Sequence, residues 1–188
     1  MSHKFFVVLP FILSGCLAVD DFTREKIEAR RAAAEQTLEM TKSLDKTQIF
    51  LANTTTKVWN VHGTQIEYLS PDGSTYLWYP GNAAVLPGRW KLQKQYYGSE
   101  ICFLYGSYTY NPVTRQTGGN WECDIAAYYL LDRDEIVDGD PLKLSKRIPY
   151  VLPANKNISI AEAMKNAGNR FTPARNKAMA PQYPRNQQ

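Results

Sequence analysis

Histidine is almost absent from this chain. Its 188 residues include two histidines, and only His62 lies beyond the first fifteen residues. The sequence also lacks the G-x-S-x-G and H-E-x-x-H motifs and any glycine-rich loop for phosphate. A pair among Glu100, Glu122 and Asp124 would suit glycan hydrolysis, but acids on strands usually form a solvated face. The sequence therefore favours a protein that is not an enzyme and needs no cofactor.

Long apolar runs are also missing. The run from Phe5 to Leu13 follows Lys4 and precedes small residues, and it is shorter than the roughly 20 residues that span a bilayer. This pattern predicts a secretory signal over residues 1–15. The segment Leu13-Ser14-Gly15-Cys16 resembles the bacterial lipobox. The resemblance implies cleavage before Cys16 and acylation (palmitate) of its thiol. The alternative is a plain signal peptide cleaved elsewhere, with Cys16 a spare thiol.

The residue after the lipobox bears on localisation. Leu17 stands where an aspartate would signal retention at the inner membrane. The same resemblance therefore implies transit to the outer membrane, with the mature chain lipid-anchored and facing the periplasm. Secretion argues against nucleic acid as a partner.

Acidic residues are scarce in the C-terminal part. Up to Leu142 the chain has 13 Lys and Arg against 17 Asp and Glu, whereas from Lys143 it has 9 against 1. Beyond Asn169 three prolines and the absence of acids predict a disordered tail. We expect the tail either to contact an anionic partner, such as peptidoglycan or an envelope protein, or to be only a solvated linker. Its four cations are Arg170, Arg175, Lys177 and Arg185.

Helix-forming residues follow the anchor. Ala, Glu, Lys, Arg and Leu dominate Asp20–Lys46, which predicts a helical stalk within residues 16–46. A clean apolar heptad is missing, so a stalk is favoured over a partner-binding helix. Residues 47–53 predict a helical turn that docks Ile49, Phe50 and Leu51 on the following domain.

Residues 47–153 predict a small antiparallel β domain. Aromatic and β-branched residues alternate with polar ones between short turn signals such as Pro71-Asp72-Gly73. The absence of helical periodicity predicts a meander that curls towards a barrel. Residues 154–188 predict a short helix, from Ser159 to Asn166, before the tail. The predicted strands are Thr54–Val61, Gln65–Leu69, Ser74–Tyr79, Gly88–Gln95, Glu100–Tyr108, Asn120–Leu131 and Leu144–Leu152.

Cysteine is rare, with three in the chain. Once Cys16 is acylated, Cys102 and Cys123 remain on predicted consecutive strands, and an oxidising periplasm favours a disulfide between them. The alternative is a metal site, but two thiols with one histidine and no C-x-x-C spacing make a poor zinc signature.

Tyrosine is the most frequent aromatic residue, with 12 Tyr against 7 Phe and 4 Trp. Aromatic faces stack on sugars or on protein partners, so an aromatic surface on the domain is a candidate binding site. Alternation along the strands also predicts that about half of these rings face the core. The candidate residues are Tyr96, Tyr97, Tyr108, Tyr110 and Trp121.

Four short motifs are spread over residues 47–131. Asp72-Gly73, Gly88-Arg89-Trp90, Ile101-Cys102-Phe103 and Trp121-Glu122-Cys123 together resemble small proteobacterial envelope domains of unknown function. The resemblance implies a secreted β domain stapled by a disulfide, and it brings no catalytic residue. We therefore expect a non-enzymatic binding or structural module of the cell envelope. The alternative is an inhibitor of a lysozyme-like or other hydrolytic enzyme, although the signature residues of such inhibitors are not found.

Overall fold

The computed structural model describes residues 18–168, with side chains from Arg24 onward. The predicted signal, Cys16 and the four cations of the predicted tail lie outside the described residues. Between residues 18 and 168 no helix has both the length and the hydropathy needed to cross a bilayer.

Two helices precede the sheet, and the break between them lies earlier in the chain than predicted. Helix α1 covers Ala18–Thr41 and α2 covers Leu44–Leu51. The prediction of one helix to Lys46 is wrong, because Ser43 adopts an extended backbone (φ −102°, ψ 119°) and caps α2 by accepting a hydrogen bond from the Lys46 N–H at 3.3 Å. Leu51 is fully buried and Phe50 packs on the core, as predicted, but Ile49 is 77% exposed.

Seven antiparallel strands form one curled sheet. Strands β1 to β6 are a meander, as predicted, and β7 pairs with the outer side of β1 to give the order β6-β5-β4-β3-β2-β1-β7. Two short helices, α3 and α4, follow β6 and β7 respectively. The strand bounds are Thr54–Asn60, Gly63–Leu69, Ser74–Trp78, Leu86–Gln95, Gly98–Tyr105, Glu122–Ile125 and Glu135–Asp138, and the helices are Ala126–Leu131 and Ile160–Asn166.

Two of the predicted strands are wrong. The segment Asn120–Leu131 splits into β6 and α3, because Ala126, Tyr129 and Leu130 fall on one face at helical spacing and are buried. The segment Leu144–Leu152 forms a turn followed by irregular chain. Lys143 has a φ of 56°, and the Asp140 carboxylate accepts the backbone N–H groups of residues 144 and 145 at 2.7 and 2.9 Å. Strand β7 was not predicted.

Both faces of the sheet carry core residues. The back face includes Ile66, Tyr68 and Trp78, and these pack against residues 142–164. The front face includes Leu69, Trp90 and Ile101, which pack against α2 and α3. The two faces follow from alternation along each strand, since Ile66 pairs with Trp78 and Glu67 pairs with Leu77.

The core extends past Pro153, where the predicted β domain ends. Ile158, Ile160, Ala163 and Met164 are buried in the back core. Helix α4 begins as predicted, because the Ser159 hydroxyl accepts the Glu162 N–H at 3.1 Å. Residues 154–168 are therefore part of the folded unit.

Candidate binding site

The front face is only partly covered, and its open part forms a cleft of about 960 Å³. We call this feature the front cleft. Pockets of this size hold small ligands of roughly drug-like dimensions. Its floor consists of side chains from β2 to β5: Gln65, Glu67, Leu77, Leu86, Phe103 and Tyr105. Its other lining residues come from the β3–β4 connection, the β5–β6 connection, β6, α3 and Arg133.

Glu67 is a buried acid on the floor of the front cleft. Its side chain is on β2, and the residue is 7% exposed. The Tyr105 hydroxyl donates a hydrogen bond to Glu67 Oε1, and the Thr75 hydroxyl donates to the same oxygen at 2.7 Å. The second oxygen, Oε2, has no hydrogen-bond partner among the described residues. Burial raises the pKa of Glu67, and the hydrogen bonds from Tyr105 and Thr75 oppose this shift.

Gly88 allows Tyr105 to reach Glu67. The two residues face each other on β4 and β5, and a Cβ at Gly88 would lie 2.8 Å from Tyr105 Cδ1 and from the Leu104 carbonyl oxygen. The Tyr105 ring therefore crosses β4 over a position that has no side chain. Burial is the main cause that raises the pKa of Tyr105, and the nearby charge of Glu67 is the next. The Tyr105 hydroxyl therefore remains protonated and able to donate at neutral pH.

Arg133 provides the positive charge of the front cleft. Its guanidinium carbon lies 4.3 Å from the centroid of the Tyr129 ring, and its Nε donates to the Tyr129 carbonyl oxygen at 3.1 Å. A further nitrogen, Nη2, lies 3.3 Å from Asp132 Oδ2. The Tyr129 hydroxyl is 3.2 Å from Thr56 Oγ1, and burial raises the pKa of Tyr129. This charge is close enough to Glu67 to lower the pKa of that acid, although burial outweighs the effect.

Five carboxamide side chains are part of the lining. Asn82, Gln116 and Asn120 make no side-chain hydrogen bond within residues 24–168. Asn111 accepts two backbone N–H groups at 3.0 and 3.2 Å, which leaves its amide nitrogen free to donate. Gln65 donates to Asn60 Oδ1 at 3.2 Å, which leaves its carbonyl oxygen free to accept. The lining therefore offers unused donors and acceptors side by side.

The five candidate aromatic residues lie in separate parts of the fold. All five of its residues are exposed, but only Tyr110 lines the front cleft. Tyr96 and Tyr97 pack edge-to-face on the β4–β5 hairpin with their ring centroids 4.8 Å apart. Lys91 Nζ lies 4.4 Å from the Trp121 ring centroid, and Tyr108 lines a separate shallow hollow beside Gly88. These five rings therefore do not form one continuous surface.

The Cys102–Cys123 disulfide is confirmed, with an S–S distance of 2.02 Å. The two cysteines are direct cross-strand partners on β5 and β6. Glu100 offers a ligand atom within 4.8 Å of both sulfurs. Because the sulfurs are bonded to each other, neither is a free thiolate for a metal.

The three acids near the cysteines occupy different faces. Glu122 and Asp124 line the front cleft, whereas Glu100 lies on the opposite face, where it accepts hydrogen bonds from Gln93 and Gln95 at 2.8 and 2.9 Å. A hydrogen bond from Tyr97 is the main cause that lowers the pKa of Glu100. Glu100 therefore cannot pair with the other two across the cleft.

His62 lies in the β1–β2 turn, as predicted, and touches the site indirectly. Its Nδ1 is 2.9 Å from the hydroxyl of Tyr79, which lines the front cleft. Partial burial lowers the pKa of His62, so the neutral imidazole is favoured at neutral pH.

Comparison of the chain with protein-family models, with curated proteins and with solved structures finds no match.

Sequence reasoning missed Glu67 and Arg133 as site residues, and it considered Tyr105 only as one of several candidate aromatic residues. One signal was available: Gln65, Glu67 and Leu69 alternate with Ile66 and Tyr68, so one face of β2 places an acid beside apolar neighbours. A charged residue at a core-facing strand position is unusual and often marks a functional site. The Tyr105 and Arg133 contacts depend on tertiary packing that the sequence does not display.

Proposed function

We propose that this chain is a lipid-anchored, non-enzymatic module of the cell envelope that binds a ligand in its front cleft. The lipobox-like segment ending at Cys16 supports an acyl anchor in the outer membrane with the fold facing the periplasm. The confirmed disulfide suits an oxidising compartment.

The observation that carries the binding role is the polar lining of the front cleft. A 960 Å³ cleft whose carboxamides and buried acid keep unused hydrogen-bonding atoms is suited to hold a ligand. Such groups lose water when a ligand enters, and they favour ligands that replace those hydrogen bonds. Arranged around an apolar floor, they would orient a ligand within the cleft.

Envelope binding by cleft variants tests the binding role. The Gln116→Ala/Asn120→Ala double variant removes two exposed carboxamides from the lining, whereas Gln36→Ala/Asn155→Ala removes one Gln and one Asn that are equally exposed elsewhere. We expect the full-length cleft variant in detergent, which removes the contribution of the acyl anchor, to co-sediment less with detergent-insoluble envelope than the wild type and the control. Equal retention of all three proteins would contradict the proposal.

The anchor has its own test. Changing Cys16 to Ser should yield a protein that remains unprocessed or is released into the soluble fraction, because an acyl chain contributes about 0.8 kcal/mol per buried methylene to membrane binding. Labelled fatty acid should attach to the wild type only. A wild type that takes up no label would refute the anchor.

The basic tail is proposed as a charge-driven contact with an anionic envelope component. Residues beyond Asn169 contribute four cations and no acid. Truncation after Gly168 should weaken retention on isolated peptidoglycan, and retention of the full chain should fall steeply with salt, since the screening length shrinks to about 3 Å at 1 M. Retention that resists both changes would leave the tail a linker.

Inhibition of a lysozyme-like or other hydrolytic enzyme is the second candidate. The β5–β6 connection favours it, because Tyr108 and Tyr110 are exposed there and the connection is braced by the Tyr110–Thr117 bridge. A preorganised exposed loop is suited to enter the cleft of an enzyme. A lytic assay with and without the protein separates the candidates, since a binding module leaves the lytic rate unchanged.

A further inference from the structure

We infer that the ligand of the front cleft is a glycan segment, with one sugar hydroxyl bonded to Glu67 Oε2. The inference rests on the proposed binding role and adds the chemical class of the ligand.

The first step concerns Glu67 Oε2, a carboxyl oxygen at the floor of the cleft. Glu67 is more than nine-tenths buried, and both of its hydrogen bonds, from Tyr105 and Thr75, end on Oε1. A buried carboxyl oxygen without a partner is costly, so native proteins usually pair such atoms with protein, water or ligand. Because Glu67 lines an open cleft, an entering ligand is placed to supply that partner.

The second step is the type of ligand group that suits this oxygen. A hydroxyl both donates and accepts, so it pairs with a carboxylate by donating and with a carboxylic acid by accepting. An ammonium only donates, and it gains charge attraction only from the ionised carboxylate, whereas burial raises the pKa of Glu67 and so favours its neutral form. The charge of Arg133 already acts on Glu67, and a second cation beside it would be repelled. The pocket thus favours a hydroxyl over an ammonium.

The third step concerns the rest of the lining. Asn82, Gln116 and Asn120 present unused carboxamides, which match hydroxyls because each group offers donors and acceptors. Phe103 and Tyr110 add aromatic surface, which packs on the apolar faces of sugar rings. One lining thus provides both the polar and the apolar contacts that a sugar needs.

A peptide fits the cleft less well. Peptides commonly bind by adding a strand to the edge of a sheet. The floor of the front cleft is instead made of side chains on the face of β2 to β5, each of which is already paired on both sides. A peptide backbone lying on this floor would meet side chains, and the edge strand in the lining, β6, offers only four residues for pairing.

The test measures binding of three probes to the full-length protein in detergent by calorimetry. The probes are peptide-free glycan strands from peptidoglycan, the delipidated polysaccharide of the outer-membrane glycolipid, and isolated peptidoglycan stem peptides. We expect at least one of the two glycans to bind, and the glycan that binds identifies the source. Binding of the stem peptides alone, or of no probe, would overturn the inference.

Two substitutions at Glu67 identify the ligand group. Glu67→Gln keeps a hydrogen-bonding atom at the position of Oε2, whereas Glu67→Leu removes it. A ligand hydroxyl should tolerate Gln with a change of less than about threefold, and it should lose about tenfold in affinity or more with Leu. An equal loss of affinity in Glu67→Gln and Glu67→Leu would indicate a ligand group that only donates. Unchanged affinity in Glu67→Leu would show that Glu67 does not contact the ligand. Either result overturns the inference.

Controls separate this inference from a folding defect and from the proposed function. Melting curves show whether Glu67→Leu is folded, and if it is not, the Gln116→Ala/Asn120→Ala variant carries the test, with the same tenfold loss of glycan affinity expected. Asn155→Ala should bind the glycan normally.

If the cleft variant loses envelope binding but no glycan binds, the binding role stands and the glycan class fails. If the cleft variant keeps envelope binding, the proposed function itself fails.

Discussion

At the scale of single residues, Gly88 decides whether Tyr105 can lie over the sheet and bond Glu67. We expect Gly88→Ala to lower the free energy of unfolding by about 1–3 kcal/mol, because the added Cβ would lie 2.8 Å from both the Tyr105 ring and a backbone carbonyl. Chemical denaturation measures the loss. In a double-mutant cycle with Tyr105→Ala, the penalty of Gly88→Ala should shrink. Strict additivity would show that the ring is not the group displaced.

Glu67 also makes stability depend on pH. Its pKa is raised above the ordinary value of 4.5, so above that pH the folded state holds a proton that the unfolded chain has lost. The free energy of unfolding falls with rising pH wherever the folded state binds more protons. Glu67→Gln cannot ionise, and we therefore expect it to gain stability relative to the wild type from about pH 4.5 up to the raised pKa, and to level off beyond it.

Denaturation of wild type and Glu67→Gln across that pH range checks the expectation. Glu25→Gln, an exposed substitution on α1, is the matched control and should follow the wild type at every pH. A stability difference between wild type and Glu67→Gln that stays constant with pH would mean that Glu67 has the same pKa in both states.

At the scale of elements, the disulfide holds the edge strand that carries part of the cleft. Strand β6 has four residues, pairs only with β5 among the described strands, and supplies Glu122 and Asp124 to the lining. With a sequence separation of 21, reduction should cost about 3 kcal/mol by the loop-entropy model. Denaturation with and without reductant measures this, and Cys102→Ala/Cys123→Ala should be insensitive to reductant. Equal midpoints for the oxidised and reduced wild type would contradict it.

The elements differ in how far the sequence predicts them. Strands β1 to β5 follow from alternation and turn residues, as at Gly73, whose φ of 80° closes the predicted Pro-Asp-Gly hairpin. Helix α3 was missed because its run of Ala, Tyr and Leu also suits a strand, and only packing under α1 and β5 selects the helix. Strand β7 is four residues long and depends on the free side of β1, which no local pattern reveals.

The site was less predictable than the fold. Cys102 and Cys123 were paired correctly because few cysteines leave few choices. The front cleft depends on a diagonal contact from β5 to β2 across Gly88, and such contacts arise from strand register and sheet curl. Exposed aromatic residues were a poor guide, since four of the five lie away from the cleft.

At the scale of the whole molecule, the fold requires residues up to the end of α4. Truncation after Pro153 would remove Ile158, Ile160 and Met164 from the back core, and we expect this chain not to fold, because each lost large side chain costs about 2–5 kcal/mol. Truncation after Gly168 should leave the melting temperature unchanged. Circular dichroism of the two truncated proteins checks this. A cooperative melt for the shorter one would show that α4 is dispensable.

The order of the strands has a mechanical consequence. The N-terminal helices lead through Asn53 directly into β1, and Thr54 is paired with Leu69 on one side and Asp138 on the other. If the N-terminus is held at a membrane while a bound ligand is pulled away, the tension enters the sheet at an interior strand and is shared by two neighbours. If the tension entered through an edge strand instead, that strand would separate from its single neighbour one residue pair at a time. This fold is therefore suited to bear a load between its N-terminal helices and its cleft.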